Sequence, residues 1–235
     1  MNGHRVGGGR RLRAALAPLV ALGALLASGC GATNATPAAS TSTAAASAAA
    51  NAQPIRAVGT PSADGVHRRY SNAPALTIDL KRPYTAVFHM EKGGEFTVQL
   101  LPESAPGYVN NFVFLSKLGF YNGLTFHRVI PGFVAQGGDP MNEVNGPGYM
   151  LTQERNSVKL EAGVIAMASS PAGVNGSQFF ITLEPQPSLE ANFAAFGRVT
   201  SGMEVVRAIS PRDPARGGNL PPGDVIKRIE IIGRP

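Results

Sequence analysis

One cysteine, Cys30, occurs among the 235 residues, which excludes an internal disulfide. The four histidines are scattered along the chain and form no cluster with the cysteine, so we expect neither a structural zinc site nor another metal centre. Charged residues make up only 15% of the chain, although the 43% of hydrophobic residues is ordinary for a globular core. Part of the chain therefore carries neither a core nor a charged, solvated surface.

Positive charge is concentrated at the N-terminus. The formal net charge is +6, but residues 1–29 contain four arginines and no acidic residue. The rest of the chain has 17 of the 21 basic residues and all 15 acidic ones, so its formal net charge is +2. A nucleic-acid-binding surface requires clustered basic residues in the folded part. The remaining charges alternate in sign, so we predict no nucleic-acid partner.

The beginning of the chain has the pattern of an export signal. A basic start is followed by an apolar run from Ala14 to Ala27, and the small residues 28–29 precede Cys30. This order is typical of a secretory signal peptide. The apolar run is shorter than the ~20 residues of a membrane-spanning helix, and it contains Pro18. Residues 1–29 are therefore predicted to be a signal peptide.

The small residues that end in Cys30 resemble the lipobox of bacterial lipoproteins, although Ala27 stands where that family prefers leucine. The resemblance implies that the Cys30 thiol receives a diacylglycerol and becomes the mature N-terminus. It also implies an exported lipoprotein, anchored in a membrane and facing the periplasm or cell surface. An ordinary cleaved signal with an incidental cysteine is the alternative. Arg10 and Arg11 leave open whether export uses the general or the twin-arginine route.

Residues 30–75 are predicted to be a disordered tether ahead of a folded domain over 76–235. No apolar residue larger than alanine occurs from Gly31 to Pro54. Such a segment cannot bury enough apolar surface to offset the conformational entropy lost on ordering. A short alanine-rich helix over 44–50 is the competing interpretation, although short isolated helices are marginal.

The domain contains many short segments of strand character. Residues 84–90 and 95–101 flank a glycine pair and predict a hairpin. Apolar residues at near-helical spacing predict helices over 106–118 and 203–209. Further strands are expected over 125–129, 133–136, 163–168, 178–182 and 225–232. Many short strands with two helices favour an α+β or a closed β architecture.

Three segments of this domain carry a specific motif. Residues 126–139 read FHRVIPGFVAQGGD, residues 163–168 and 175–181 read GVIAMA and NGSQFFI, and the third segment is 189–198. In order and spacing they resemble the signature stretches of the cyclophilins, a family of peptidyl-prolyl cis/trans isomerases, over about residues 84–232. The resemblance implies a mainly β fold. It also implies that this fold is an eight-stranded antiparallel closed β-barrel capped by two α-helices, with the active site on the outer face.

The implied reaction is rotation about the peptide bond before proline, against a resonance barrier of roughly 18–20 kcal/mol. No covalent bond breaks, so we expect no nucleophile, metal or cofactor. In the twisted state the prolyl nitrogen regains a lone pair, and a fixed cationic donor binds that state better than either planar isomer. Arg128 matches the family's catalytic arginine, and its planar, permanently charged guanidinium suits this role. A surface arginine in an ion pair is the alternative.

The resemblance also assigns the other site residues. Phe133 and Gln136 complete the catalytic set, because an amide can accept from an arginine and donate to a substrate carbonyl. The substrate-binding positions are His127, Val134, Ala168, Ser169, Gln178, Phe180, Leu189 and Phe193. Ordinary core packing is the alternative for the apolar members, and a structural role is the alternative for His127. Ser188 stands where cyclosporin-sensitive members have tryptophan, which implies weak binding of that drug.

Three readings of the function remain open from the sequence. The first is an isomerase that assists the folding of exported proteins, acting as a monomer on proline-containing polypeptides. The second is a catalytically weak chaperone or surface adhesin that binds proline peptides. The presence of Arg128, Phe133 and Gln136 together favours the enzyme. A lipoprotein whose domain only spaces or anchors something else is a third reading, and it predicts no binding of proline peptides.

Overall fold

The computed structural model describes residues 57–58, 69–140 and 146–233. The predicted signal peptide over 1–29, the predicted lipidation site Cys30 and most of the predicted tether over 30–75 lie outside these residues and stay predictions. No helix in the described part of the chain is long and apolar enough to cross a membrane.

Within these residues the chain is built mainly from short strands. The elements in chain order are β1 (Ala57–Val58), β2 (Arg69–Tyr70), β3 (Thr85–Met90), β4 (Glu95–Leu100), α1 (Pro106–Lys117), β5 (Arg128–Ile130), β6 (Val134–Gly137), β7 (Met150–Leu151), β8 (Val164–Ser170), β9 (Gly173–Thr182), β10 (Ala195–Ser201), α2 (Met203–Arg207) and β11 (Ile226–Ile232). Two 3₁₀ turns lie at Pro187–Leu189 and Pro214–Arg216.

The strands form one antiparallel sheet in the order β11-β3-β4-β10-β8-β9-β6-β5, with β7 added beside β9, while β1 and β2 pair separately. Among the described residues, the end strands β5 and β11 share no ladder. The segment before β5 instead meets the start of β11 through a Thr125–Val225 bridge and backbone hydrogen bonds, including one of 2.8 Å from the Gly123 N–H to the Ile226 carbonyl. The mainly β, antiparallel fold is confirmed. The predicted closed barrel of eight strands with two capping helices is not reproduced in that form, because β7 adds a ninth strand and no ladder joins β5 to β11 within the described residues.

The core lies on one face of this sheet. Alternate residues of β3 and β4 are buried, as expected for strands with one face inward. Phe112 of α1 packs into an aromatic group at ring-centroid distances of 5.2–6.0 Å, with partners Phe88, Tyr121, Phe179 and Phe196. One face of α1 therefore closes the core above the sheet.

The folded domain extends upstream of residue 76, where the sequence places its start. The Tyr70 ring meets Phe114 of α1 edge-on at 5.6 Å, and Tyr70 is 7% exposed. The Asn110 side chain donates to the Ala75 carbonyl at 2.9 Å and accepts from the Thr77 N–H at 2.9 Å. Residues 69–77 are therefore held against α1 by ring packing and by a buried amide.

Strand β9 begins at Gly173, five residues ahead of the predicted start. Asn175 and Gly176 are typical of turns, but here both are buried inside the strand. A Cβ at Gly176 would lie 2.5 Å from the Tyr149 carbonyl oxygen, so this position requires glycine to admit the neighbouring chain. The glycine at this position therefore reflects the close approach of the backbone at Tyr149, and not a turn.

Asp224 links the β3–β4 turn to the segment before β11. Its carboxylate accepts hydrogen bonds from Lys92 Nζ, from the Ser210 N–H at 2.7 Å and from Ser210 Oγ at 3.2 Å. Burial alone would raise the pKa of Asp224, but the bonds from Lys92 and Ser210 outweigh it and the pKa lies below its ordinary value. The stabilisation is therefore present at neutral pH and is lost as the pH falls below about 4.

We expect Asp224→Asn to lower the free energy of unfolding by about 1–2 kcal/mol at pH 7, because an ionised acceptor is lost. The difference from wild type should be smaller at pH 3, because this stabilisation is lost progressively as the pH falls below about 4. Urea unfolding at both pH values measures this. Glu184→Gln is the control, since Glu184 is 56% exposed and lies 3.9 Å from Arg207. An equal loss at both pH values would contradict the assignment.

Candidate active site

A cavity of about 220 Å³ opens on the sheet, away from the main core. Its lining residues are Arg128, Phe133, Val134, Gln136, Ala168, Ser169, Phe180, Leu189 and Phe193. They come from β5, the turn before β6, β6, β8, β9 and the loop before β10. All nine are positions that the sequence resemblance assigns to the site, and the fold brings them together.

Strand alternation explains why this cavity is separate from the core. On β9, Phe179 belongs to the main core, whereas Phe180 belongs to a second apolar cluster. On β6, Ala135 belongs to the main core and Val134 belongs to the second cluster. Successive side chains of a strand point to opposite faces. The same strands therefore build the core on one face and the cavity wall on the other.

Strand register aligns the polar and apolar parts of the site. Arg128 of β5 pairs with Gln136 of β6, and Gln136 pairs with Phe180 of β9. Side chains of directly paired residues on one face lie about 5 Å apart. A cation, an amide and an aromatic ring therefore stand in a row across three neighbouring strands.

Aromatic rings form the apolar part of the cavity. Phe180 is 4% exposed and meets Phe193 edge-on, with centroids 5.1 Å apart and planes at 89°. The Arg128 guanidinium carbon lies 5.5 Å from the centre of the Phe133 ring, which is within cation–π range. Val134 and Ala168 are buried, while Ser169 at the end of β8 is exposed. The arrangement is an apolar slot with a fixed cation on one side.

A chain of hydrogen bonds runs behind the slot. Arg128 Nη1 donates to Gln136 Oε1 at a long 3.5 Å, and Gln136 Nε2 donates to Gln178 Oε1 at 3.0 Å. Gln178 Nε2 donates to Asp139 Oδ2 at 2.8 Å. Gln178 therefore reaches the cavity through Gln136 without lining it. The sequence motif contains Asp139, but sequence reasoning gave this residue no role.

His127 lies outside the residues that line the cavity. Its side chain is half-buried, and among the described residues its Nδ1 has no hydrogen-bond partner. Burial lowers the pKa of His127, an effect that the nearby Asp139 carboxylate partly opposes. Its backbone carbonyl accepts from Arg212 Nη1. This environment favours a neutral, structural histidine over contact with a ligand.

The loop that carries Leu189 and Phe193 is held from behind by residues 153–160, which have no regular secondary structure. Gln153 Nε2 donates to the Asn192 carbonyl at 3.0 Å, and Arg155 Nη1 donates to the Ala191 carbonyl. Lys159 pairs with Glu190 at 2.8 Å. Sequence reasoning missed this support, because a segment without periodicity contains no signal for its contacts.

Nothing in residues 69–140 and 146–233 groups three or more His, Cys, Asp or Glu side chains as a metal site would require. The cavity offers instead a guanidinium, an amide and an apolar slot. These groups can bind a proline ring and stabilise an amide that is twisting out of its plane.

The family described as "Cyclophilin type peptidyl-prolyl cis-trans isomerase/CLD" matches residues 85–231. Peptidyl-prolyl cis-trans isomerase B of Bacillus subtilis is 45% identical over 152 residues, which cover 63% of this chain and 99% of that protein. A peptidyl-prolyl cis-trans isomerase of Synechococcus elongatus is 44% identical over 131 residues, which cover 54% of this chain and 90% of that protein.

Solved structures agree with these relatives. A crystal structure of a cyclophilin type peptidyl-prolyl cis-trans isomerase from Cryptosporidium parvum has a TM-score of 0.54 at 28% identity and covers 65% of this chain and 99% of its own. A crystal structure of that protein in the presence of the dipeptide Ala-Pro has a TM-score of 0.55 at 30% identity. The match covers 63% of this chain and 98% of that one. The chain belongs to the cyclophilin-type peptidyl-prolyl cis-trans isomerases and is an enzyme of that class.

Proposed function

We propose that the chain accelerates cis/trans isomerisation before proline in exported polypeptides, with Arg128 stabilising the twisted amide. One observation carries this proposal: the Arg128 guanidinium lies against the Phe133 ring at the wall of an apolar cavity. A cation that is already in place does not have to reorganise when the prolyl nitrogen regains its lone pair. It therefore stabilises the twisted state more than either planar isomer.

The neighbouring residues have matching roles in this mechanism. The proline ring enters the slot formed by Phe133, Phe180 and Leu189, which fixes the ring while the preceding carbonyl rotates. Gln136 accepts from Arg128 and has an N–H group to donate to a substrate carbonyl. The exposed end of β8 at Ser169 offers backbone groups to an extended peptide, which would allow many sequences before the proline.

A chymotrypsin-coupled assay on an Ala-Pro-Phe peptide tests this proposal. The expected result is a trans-conversion rate that rises in proportion to enzyme concentration above the solvent rate, which is slow. A rate equal to that in solvent would reject catalysis by this chain. Binding of the same peptide without turnover, measured by calorimetry, would support the proline-binding chaperone or adhesin instead.

We also propose that the enzyme is an exported lipoprotein, with the lipid on Cys30. The support is the signal-like pattern of residues 1–29 and the position of the single cysteine directly after it. Mass spectrometry of the mature N-terminal peptide should find a diacylglycerol-modified cysteine, and the protein should fractionate with membranes. A Cys30→Ala variant should lose both properties. An unmodified Cys30 in membrane-free protein would refute this.

We expect weak binding of cyclosporin, because Ser188 offers no indole N–H and little contact surface. Ser188 is exposed and lies directly before the slot residue Leu189 in the same 3₁₀ turn. Ser188→Trp should tighten binding by roughly tenfold, or about 1.4 kcal/mol, as measured by calorimetry. Ser188→Ala serves as the control and should leave the affinity unchanged. A submicromolar dissociation constant for the wild type would contradict this expectation.

A further inference from the structure

Asp139 ends the chain of hydrogen bonds that begins at Arg128. The three links are 3.5 Å from Arg128 to Gln136, 3.0 Å from Gln136 to Gln178, and 2.8 Å from Gln178 to Asp139. The last link is the shortest and joins an amide to a carboxylate. Hydrogen bonds to ionised acceptors are stronger than bonds between neutral groups.

The two ends of this chain fix its direction. A guanidinium can only donate, and an ionised carboxylate can only accept. Each of the two amides between them must therefore accept on the Arg128 side and donate on the Asp139 side. Rotating either side-chain amide by 180° would place donor next to donor or acceptor next to acceptor. The hydrogen bonds at that amide would then be lost.

The backbone holds Asp139 firmly in this place. Gly138, the residue before it, has a φ of +81°, and a Cβ there would lie 2.6 Å from the Ser177 carbonyl oxygen. The backbone of Asp139 itself forms an isolated bridge with Thr125. Close approach to β9 therefore brings the carboxylate within hydrogen-bonding distance of Gln178.

We propose that Asp139 is a positioning residue that, through Gln178, keeps the Gln136 amide oxygen directed at Arg128 and a Gln136 N–H available to the substrate carbonyl. Gln178 takes one of the two N–H groups of Gln136, which leaves the other for a ligand in the cavity that Gln136 lines. Without Asp139, the amides can reverse and present an oxygen to the substrate carbonyl. The inference rests on the proposed role of Arg128 and Gln136.

A double-mutant cycle tests this inference with the full chain. Asp139→Leu removes the acceptor, and kcat/KM should fall five- to tenfold, mainly through kcat. In a Gln136→Ala background the same change should cost less than twofold, because the amide that Asp139 orients is gone. Asp139→Asn keeps an oxygen that can accept and should recover most of the activity. Equal losses in both backgrounds would overturn the inference and leave Asp139 a purely structural residue.

A second measurement does not depend on turnover. The side-chain NH₂ signals of Gln136 and Gln178 in ¹⁵N-labelled protein should both shift in Asp139→Leu, and neither should shift in the control Asp79→Leu. Asp79 pairs with Arg82 in an exposed turn outside the cavity lining. If the Gln136 signal does not move, the inference fails even when the enzyme is active. If the wild type shows no turnover while both signals shift, the proposed function fails and the orienting role of Asp139 stands.

Discussion

Replacing Arg128 with alanine should lower kcat/KM for a proline peptide by about 10²–10³-fold, which is the usual cost of removing one preorganised transition-state donor. Arg128 is half-buried, and its guanidinium contacts Phe133 and Gln136. No other cation lines the described cavity. The affinity for the peptide should change little, because the apolar slot is intact.

Arg128→Lys should recover only part of this loss. A lysine ammonium keeps the charge, but it lacks the planar fork that can face Phe133 and contact Gln136 together. Arg198→Ala is the control, since Arg198 is an exposed strand arginine on β10. The coupled assay with unfolding curves for each variant separates catalysis from stability. Activity of Arg128→Ala within threefold of wild type would exclude the proposed mechanism.

Replacing Phe112 with alanine should cost about 3–5 kcal/mol of unfolding free energy, the range for large core aromatics. The side chain is fully buried and contacts four other rings, including Phe179 of β9. Typical domains are stable by only 5–15 kcal/mol. This variant should therefore lose a large fraction of its stability, as measured by urea unfolding.

Phe114→Ala on the same helix is the matched control. Phe114 is only partly buried and packs edge-on against Tyr70. Its loss should cost about half as much, since less apolar surface returns to water. Equal effects of the two substitutions would show that α1 is not anchored through Phe112.

The residues that line the cavity could be predicted because the resemblance to the cyclophilins assigns each of them to the site. Arg128, Phe133 and Gln136 fall within nine residues, and a short hairpin of β5 and β6 brings them together. The chemistry of these residue types also matches what amide rotation requires. Local sequence therefore determines the hairpin part of the site, and the other lining residues come from β8, β9 and the loop before β10.

Contacts between distant segments could not be predicted in the same way. Asp139 accepts a hydrogen bond from Gln178, and residues 153–160 support the loop at 186–193. These contacts join segments that are far apart in the sequence, and no local periodicity indicates them. Short edge pieces such as β7 have too few residues for an alternating pattern. The start of β9 was not predicted, because a glycine at position 176 is typical of a turn. In the structure Gly176 lies within the strand, where the Tyr149 carbonyl comes too close for a side chain.

The support of the cavity loop affects how this enzyme can change during evolution. Gln153 and Arg155 bind the carbonyl groups of Asn192 and Ala191, not their side chains. Both loop residues are exposed, so other residues can replace them without removing the bonds that hold the loop. Positions 191 and 192 can therefore vary in sequence while the loop that carries Phe193 keeps the hydrogen bonds that hold it.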